Sequence, residues 1–331
     1  MSELVSVLMP VRNEEAFVEA AVASVLQQDH PNLEVLVIDG DSSDQTAEVV
    51  QHIASADSRV RLLSNPAVSI PAGLNVGLVA ARGSYLARVD AHAQINESYV
   101  SIGVAHLSAE PGVAAVGGQR QTVASTRVGK AIGVALTSPF GVGDSINHYG
   151  TRVQKTDHAS FGVYRTAVAR EVGGWDESLL ANEDVDFDFR ILGLGHEILY
   201  DPAMHIYWHV RETLPDLSHQ YRRYGRGKGA MIRKNGVAAV RLRHLAPPAL
   251  LANLTLAAGV ALSGHPRTAA AMVAPYAGLL TLATAKTRSQ ISSEGASQIA
   301  LPAALMTMHL SWGAGFYEGL LGRTAALGSQ R

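Results

Sequence analysis

The sequence predicts an α/β protein: a mostly parallel sheet flanked by helices, followed by a hydrophobic helical C-terminal region. Three observations carry this expectation. Strand and helix signals alternate through the first half, the pattern of a parallel sheet with crossover helices. Polar clusters recur just where strands end. Three long stretches toward the C-terminus, residues 245–264, 268–285 and 295–317, contain no Asp, Glu, Lys or Arg.

The elements follow in order. Residues 4–9 form an apolar run closed by Pro10, and Asn13 reads as the N-cap of a helix with Val18, Ala21, Val22, Val25 and Leu26 on one face. Residues 33–38 are continuously apolar apart from Glu34, as suits a strand buried on both faces. Helical spacing returns over 44–53, a short strand follows at 60–63, and residues 71–81 read as a helix broken by Gly83. Residues 85–89 are the next strand, then a helix over 96–107 and a strand over 113–118. Residues 117–157 are rich in Gly, Ser and Thr and read as a long connection; 182–194 returns to helix. Residues 218–234 are strongly basic.

Composition narrows the function classes. A net charge of −2 offers no broad basic field for nucleic acid. The absence of cysteine excludes a disulfide framework, a thiol nucleophile and a Cys-ligated zinc site. The opening MSELVSVLMPV lacks a basic leader and a long apolar stretch, so it reads as a first strand rather than a signal peptide.

In a parallel sheet, ligands sit beyond the carboxyl ends of the strands. Arg12-Asn13-Glu14, Asp39-Gly40-Asp41 and Asp90-Ala91-His92 fall at three such ends. Helix capping explains a Ser and one Asp in Asp39-Gly40-Asp41-Ser42-Ser43-Asp44, but not three carboxylates in six residues. A carboxylate there can accept hydrogen bonds from a uracil-type base and from ribose. In Asp90-Ala91-His92, side chains two apart can face one pocket and hold a divalent cation between two phosphates. Oxygen ligands suit Mg2+ or Mn2+, and the imidazole tilts the choice toward Mn2+. Glu183-Asp184 either complements a helix dipole behind an Asn182 cap or supplies a base.

Taken together and in this order, Pro10-Val11-Arg12-Asn13-Glu14, Val37-Ile38-Asp39-Gly40-Asp41, Asn75-x-Gly77 with Ala81-Arg82-Gly83, Asp90-Ala91-His92, Gly173-Gly174-Trp175-Asp176-Glu177 and Glu183-Asp184 resemble the family 2 inverting glycosyltransferases over residues 4–235. The details look most like the succinoglycan and exopolysaccharide branch, which has Asp-Ala-His where most relatives have Asp-x-Asp. The resemblance implies a GT-A (Rossmann-like) fold. It implies a nucleotide pocket lined by Pro10, Arg12, Glu14, Asp39 and Asp41 with Arg82, and a metal and diphosphate site at Asp90 with His92. Asp184 would be the catalytic base, with Glu183 beside it, and Trp175 would lie against the acceptor. Gln220-Tyr221-Arg222-Arg223-Tyr224 resembles the Q-x-x-R-W element of processive synthases, which implies Arg223 toward the diphosphate and Gln220 and Tyr224 toward the acceptor; it also reads as a basic amphipathic helix on a membrane surface. His209 is a further candidate metal ligand. The expected donor is a nucleotide-diphosphate sugar, UDP-linked glucose first, and the expected acceptor a lipid-linked saccharide. A non-catalytic sugar-nucleotide-binding subunit and a nucleotidyltransferase are the alternatives.

The C-terminal stretches have two readings. Each is near the ~17–25 residues that cross a bilayer. Arg241 and Arg243 precede the first two and Lys286 and Arg288 follow them, which places both flanks of a hairpin on the cytoplasmic face. The third, with Trp312 and Tyr317, is expected to cross or to lie at the interface. In the other reading, all three belong to a soluble subdomain or a homo-oligomer interface. The expected division is a sugar-nucleotide domain over 1–235 and a membrane-associated region over 236–331.

Overall fold

The computed structural model describes residues 2–179, 181–236, 238 and 240–322. The chain forms two compact units, one of Met1–Gln121 with Ile146–His209, the other of Thr122–Ser145 with Val210–Arg331.

The first unit runs β1 (Val5–Val11), α1 (Val18–Leu26), β2 (Leu33–Asp39), α2 (Thr46–Ala56), β3 (Val60–Ser64), α3 (Ile70–Ala80), β4 (Tyr85–Arg88), β5 (Ala93–Ile95), α4 (Tyr99–Ala109) and β6 (Val113–Val123). The chain then builds α5 (Arg127–Leu136) and α6 (Pro139–Val142) in the second unit. It returns through β7 (Gln154–Lys155), β8 (Val163–Arg165), α7 (Thr166–Glu171), α8 (Glu183–Gly193) and β9 (Glu197–His209). The nine-stranded sheet has the order β3-β2-β1-β4-β8-β6-β9-β5, with β7 beside β9. Strands β1 to β4 pair in parallel, whereas β8 is antiparallel to β4 and β6, and β9 to β5 and β7. The expected parallel sheet is thus the first half of a mixed one. Of its second half the sequence signals only β6; β7 and β8 have two and three residues, too short for a periodic signal.

Alternation along the strands divides the core. Val5, Val7, Met9 and Val11 pack on the face covered by α1, with Val22 and Val25, while Leu8, Leu36 and Ile38 meet Leu74 and Leu78 of α3 on the other. Both faces are covered, which explains the apolar run in β2.

The second unit holds α5, α6, α9 (Leu214–Asn235), α10 (Leu242–Leu262), α11 (Pro266–Lys286), α12 (Arg288–Glu294) and α13 (Ala300–Leu320). Residues 117–157, expected to be a connection, contain the end of β6 and α5. Thr126 caps α5 by accepting from the Gly129 N–H at 2.9 Å. Glu212 braces that start, accepting from the N–H and hydroxyl of both Ser125 and Thr126. Burial opposes its charge, yet these bonds hold its carboxyl down to about 2.

Helices α10 and α11 are long and apolar enough to cross a membrane, with mean hydropathy 1.7 and 1.4 and 11% of each apolar stretch buried. The third stretch is more buried than the first two. Helix α13 buries Leu301, Ala304, Leu305, Met308 and Phe316, and packs along α9. Glycines allow the approach. A Cβ on Gly225 or Gly229 of α9 would overlap the carbonyls of Trp312 or Phe316, and one on Gly315 or Gly319 of α13 those of Arg222 or Arg226. Arg222 and Arg226 both donate to Glu318 beside this crossing. Because α9 is joined to α13, the second unit begins ahead of residue 235 and takes in the basic segment. Gly229→Val is expected to cost about 1–3 kcal/mol through overpacking, read as a lower thermal midpoint in detergent; an unchanged midpoint would show that the two helices do not meet here.

Candidate active site

Strands β1 and β2 end side by side, Val11 opposite Asp39. The loops that follow are laced together. Asn13 N–H donates to Ser42 Oγ at 2.9 Å, Ser43 N–H to Asn13 Oδ1 at 2.8 Å, Glu14 N–H to Thr46 Oγ1 at 2.7 Å, and Gln45 N–H to Glu15 Oε2 at 3.0 Å. Asn13 therefore does not cap α1: it sits at φ 55°, and the helix begins at Val18. Its side chain serves the neighbouring loop instead. Asp39 accepts from the Ser42 hydroxyl at 2.5 Å and the Ser42 N–H at 3.2 Å, which fixes its carboxylate. Asp41 is an exposed turn residue at φ 60°, a conformation Asp tolerates better than most. Pro10, Arg12, Glu14, Asp39 and Asp41 thus gather at two adjacent strand ends, and Arg12 is exposed there.

The centre of the site is a residue sequence reasoning missed. Arg88, the last residue of β4, is 8% exposed. Its Nε and Nη2 donate to the two oxygens of Asp90 at 2.8 and 3.3 Å, and its Nη1 donates to Glu183 Oε1 at 3.1 Å. One buried guanidinium therefore ties the strand-end carboxylate to the start of α8. The available signal was a lone cation at the end of an apolar strand, two residues before Asp90, hence on the same face.

Glu183 and Asp184 separate in environment. The Asn182 side chain makes no capping hydrogen bond and its backbone is left-handed, while Glu183 and Asp184 both lie in the first turn of α8, where they complement its dipole. Burial first, and then the Asp184 charge, push the Glu183 carboxyl above its ordinary value. Burial would raise Asp184 too, but His158, Arg88 and Arg120 together hold it below the usual carboxylate range. Asp184 is also the more open, with 27% of its side chain exposed against 9% for Glu183. Its Oδ1 accepts from the Val185 N–H, and its Oδ2 lies 3.7 Å from His158 Nε2. An ionised, accessible carboxylate at a helix N-terminus can take a proton. Glu183 is the anchor of Arg88.

No three His, Asp or Glu side chains form a metal-binding group among the described residues. Asp90 turns to Arg88, His92 Nδ1 lies 3.4 Å from Glu14 Oε1, and the His209 ring packs 5.5 Å from Phe17. Asp90, His92 and His209 are therefore no ready-made cage. Asp90 keeps lone pairs beyond those Arg88 uses, so with His92 it would be available to a divalent cation.

Two expectations are corrected. Arg82 lies at the amino ends of the strands, where its Nε donates to Glu34 Oε2 at 2.9 Å and its N–H to Glu34 Oε1 at 2.8 Å. Ser6 donates to the same carboxylate, and Gly83 has Leu4 and Ser6 backbone where a Cβ would be. Ala81-Arg82-Gly83 is a structural clamp at the wrong end for the nucleotide. Arg82→Ala is expected to lower the thermal midpoint while nucleotide affinity by calorimetry stays unchanged. Trp175 is 3% exposed and stacks on Phe187 at 4.3 Å, so its ring belongs to the core rather than to an acceptor surface.

Gln220, Arg223 and Tyr224 lie on α9 in the second unit. Gln220 Nε2 donates to the Tyr224 hydroxyl at 3.1 Å, while Gln220 Oε1 and Arg223 Nε are buried without a hydrogen-bond partner in the described residues.

The family model described as glycosyl transferase family 2 matches residues 6–173. The succinoglycan biosynthesis protein ExoA of Rhizobium meliloti (strain 1021) is 31% identical over 95% of this chain and 94% of its own length. A dolichyl N-acetyl-alpha-D-glucosaminyl phosphate 3-beta-D-2,3-diacetamido-2,3-dideoxy-beta-D-glucuronosyltransferase of Methanococcus voltae is 23% identical over 70% of this chain and 74% of its own. The mannosyltransferase PcManGT from Pyrobaculum calidifontis, solved with GDP-Man and Mn2+, superposes with a TM-score of 0.63 at 19% identity, covering 98% of this chain and 89% of that one. The last likeness bears out the expected GT-A fold.

Proposed function

The chain belongs to glycosyl transferase family 2, and from that membership we propose that it moves one hexose from a nucleotide-diphosphate sugar to a hydroxyl of a lipid-linked saccharide, with inversion, in exopolysaccharide or cell-envelope glycan assembly. The observation that carries the reading is Asp184, an accessible carboxylate held ionised by surrounding cations at the start of α8. UDP-glucose is the first donor to test. The similarity to ExoA, covering nearly the whole of both chains, supports the exopolysaccharide setting.

Asp184 takes the proton of the acceptor hydroxyl. The oxygen attacks the anomeric carbon from the face opposite the nucleotide, and the bond to the diphosphate breaks with its electron pair leaving on the diphosphate. Asp39, oriented by Ser42, accepts from the base and ribose, with Pro10 and Arg12 alongside. Asp90 and His92 would hold a divalent cation, Mn2+ or Mg2+, which when bound neutralises charge on the leaving diphosphate. Arg88 keeps Asp90 and Glu183 in place.

Helices α10 and α11 supply the membrane anchor, a hairpin with Arg241, Arg243, Lys286 and Arg288 on the cytoplasmic side. The test is an assay of detergent-purified full-length chain across UDP-, GDP- and dTDP-sugars with Mn2+ or Mg2+. Donor-dependent transfer that needs a hydroxyl acceptor supports the reading. Donor binding without turnover, or release of pyrophosphate from a nucleoside triphosphate, sinks it.

A further inference from the structure

Behind Asp184 lies a second imidazole–carboxylate pair. His158 Nδ1 lies 2.7 Å from Asp188 Oδ2, and its other nitrogen faces Asp184 Oδ2 at 3.7 Å. Asp188 is 0% exposed, yet it is well provided for: the Ala159 N–H donates to it at 2.8 Å and the Tyr164 hydroxyl at 3.2 Å. Asp188 and Asp184 are one helical turn apart on α8, so both present to the same ring. On the far side, the His158 carbonyl accepts from Asn147 Nδ2 at 2.9 Å, which fixes the backbone that carries the ring. The ring is therefore held at both ends, with Nε2 aimed at the carboxylate assigned as base.

We propose that His158 is a positioning residue for Asp184: clamped by Asp188, it holds the Asp184 carboxylate in aim and in its ionised form. This rests on the reading of Asp184 as the base. The ring lies between two carboxylates. Burial would lower its proton affinity, but the Asp188 hydrogen bond and the charges of Asp184 and Asp188 outweigh burial and raise it. The other charged and titratable groups facing His158 and Asp184 are Glu183 beside it on α8, Arg120 on β6, Tyr164 on β8 and Arg88 on β4. During transfer the proton passes from the acceptor hydroxyl to Asp184, and His158 keeps its own proton throughout. The sign follows directly. Asp184 works only when ionised, and its neighbouring cations depress its proton affinity, so losing one moves the acid limb of the rate profile to higher pH.

His158→Asn tests this in the full-length chain. The Asn amide can still donate to Asp188, while nothing replaces Nε2. The expected result is a donor KM like wild type, kcat lower by roughly 10–100-fold, and an acid limb of kcat displaced upward. His158→Gln, whose amide reaches toward Asp184, should recover part of the rate. A purely structural role would lower the thermal midpoint without moving the limb. Wild-type kcat and an unmoved limb in His158→Asn overturn the proposal. If the variants fail to fold, the imidazole 15N resonance that moves in Asp184→Asn reports on the otherwise unaltered ring. It should titrate above the ordinary histidine range, and titration at or below that range also overturns the proposal. Full activity in Asp184→Asn would instead sink the base assignment itself, a separate and recognisable result.

Discussion

Asp184→Asn should bind the donor as wild type does and transfer sugar about 10²–10⁴-fold more slowly, the usual contribution of general-base help. The substitution keeps shape and removes the charge that accepts the proton. It leaves Asp39 and Asp90 untouched, so the loss belongs in kcat while the donor KM holds. The neighbouring pair makes this a sharp comparison. Glu183→Gln removes a carboxylate one residue away whose role is to anchor Arg88, so its effect should fall mainly on stability. Initial rates of transfer, with donor affinity measured by calorimetry, separate the two variants. Near-normal kcat in Asp184→Asn would assign the base elsewhere.

Arg88→Leu should be the most destabilising single change in the first unit. Arg88 is the common partner of Asp90 and Glu183. Both pairings lie where water is largely excluded, so removing the guanidinium leaves two carboxylates with uncompensated charge. Breaking a buried pair in this way costs about 3–5 kcal/mol, a large share of the ~5–15 kcal/mol that holds a typical domain together. The double variant Arg88→Leu with Glu183→Gln removes one orphaned charge and should recover part of the loss in chemical denaturation. If Arg88→Leu unfolds at the wild-type midpoint, the guanidinium is not the tie between strand end and helix that its geometry describes.

Sequence reasoning found the parts of the site that announce themselves by composition. Asp39 and Asp90 follow apolar strands, and acidic runs at such places are unusual. It could not tell which end of the sheet a charged residue occupies once that residue lies before a strand. Arg82 was therefore grouped with the nucleotide pocket, although Glu34, the second residue of the chain's second apolar run, was its partner. Glu34 looked like an interruption in a buried strand; the pairing with Arg82, Arg61 and Ser6 explains why it is there. Arg88 and His158 were passed over for a related reason. Each acts through partners 95 and 30 residues away, Glu183 and Asp188, and no local spacing reports contacts of that range. Trp175 shows the opposite error. The family resemblance implied an acceptor surface at Trp175, whereas Phe187 covers its ring. In the tail, composition separated apolar from charged stretches correctly. It did not distinguish α10 and α11 from α13, because that difference lies in which apolar helix finds a glycine-lined partner.

The pairing of α9 with α13 sets an order of events during synthesis. Arg222 and Glu318 are 96 residues apart, with both apolar helices between them. On a ribosome, α9 emerges with its glycine groove bare, and α10 and α11 must commit to their surroundings before α13 exists. Among the described residues, the helix that completes the second unit is thus the last to emerge. A nascent chain stalled before Ala300 would carry an open glycine face, the form in which a chaperone or a protease would meet it.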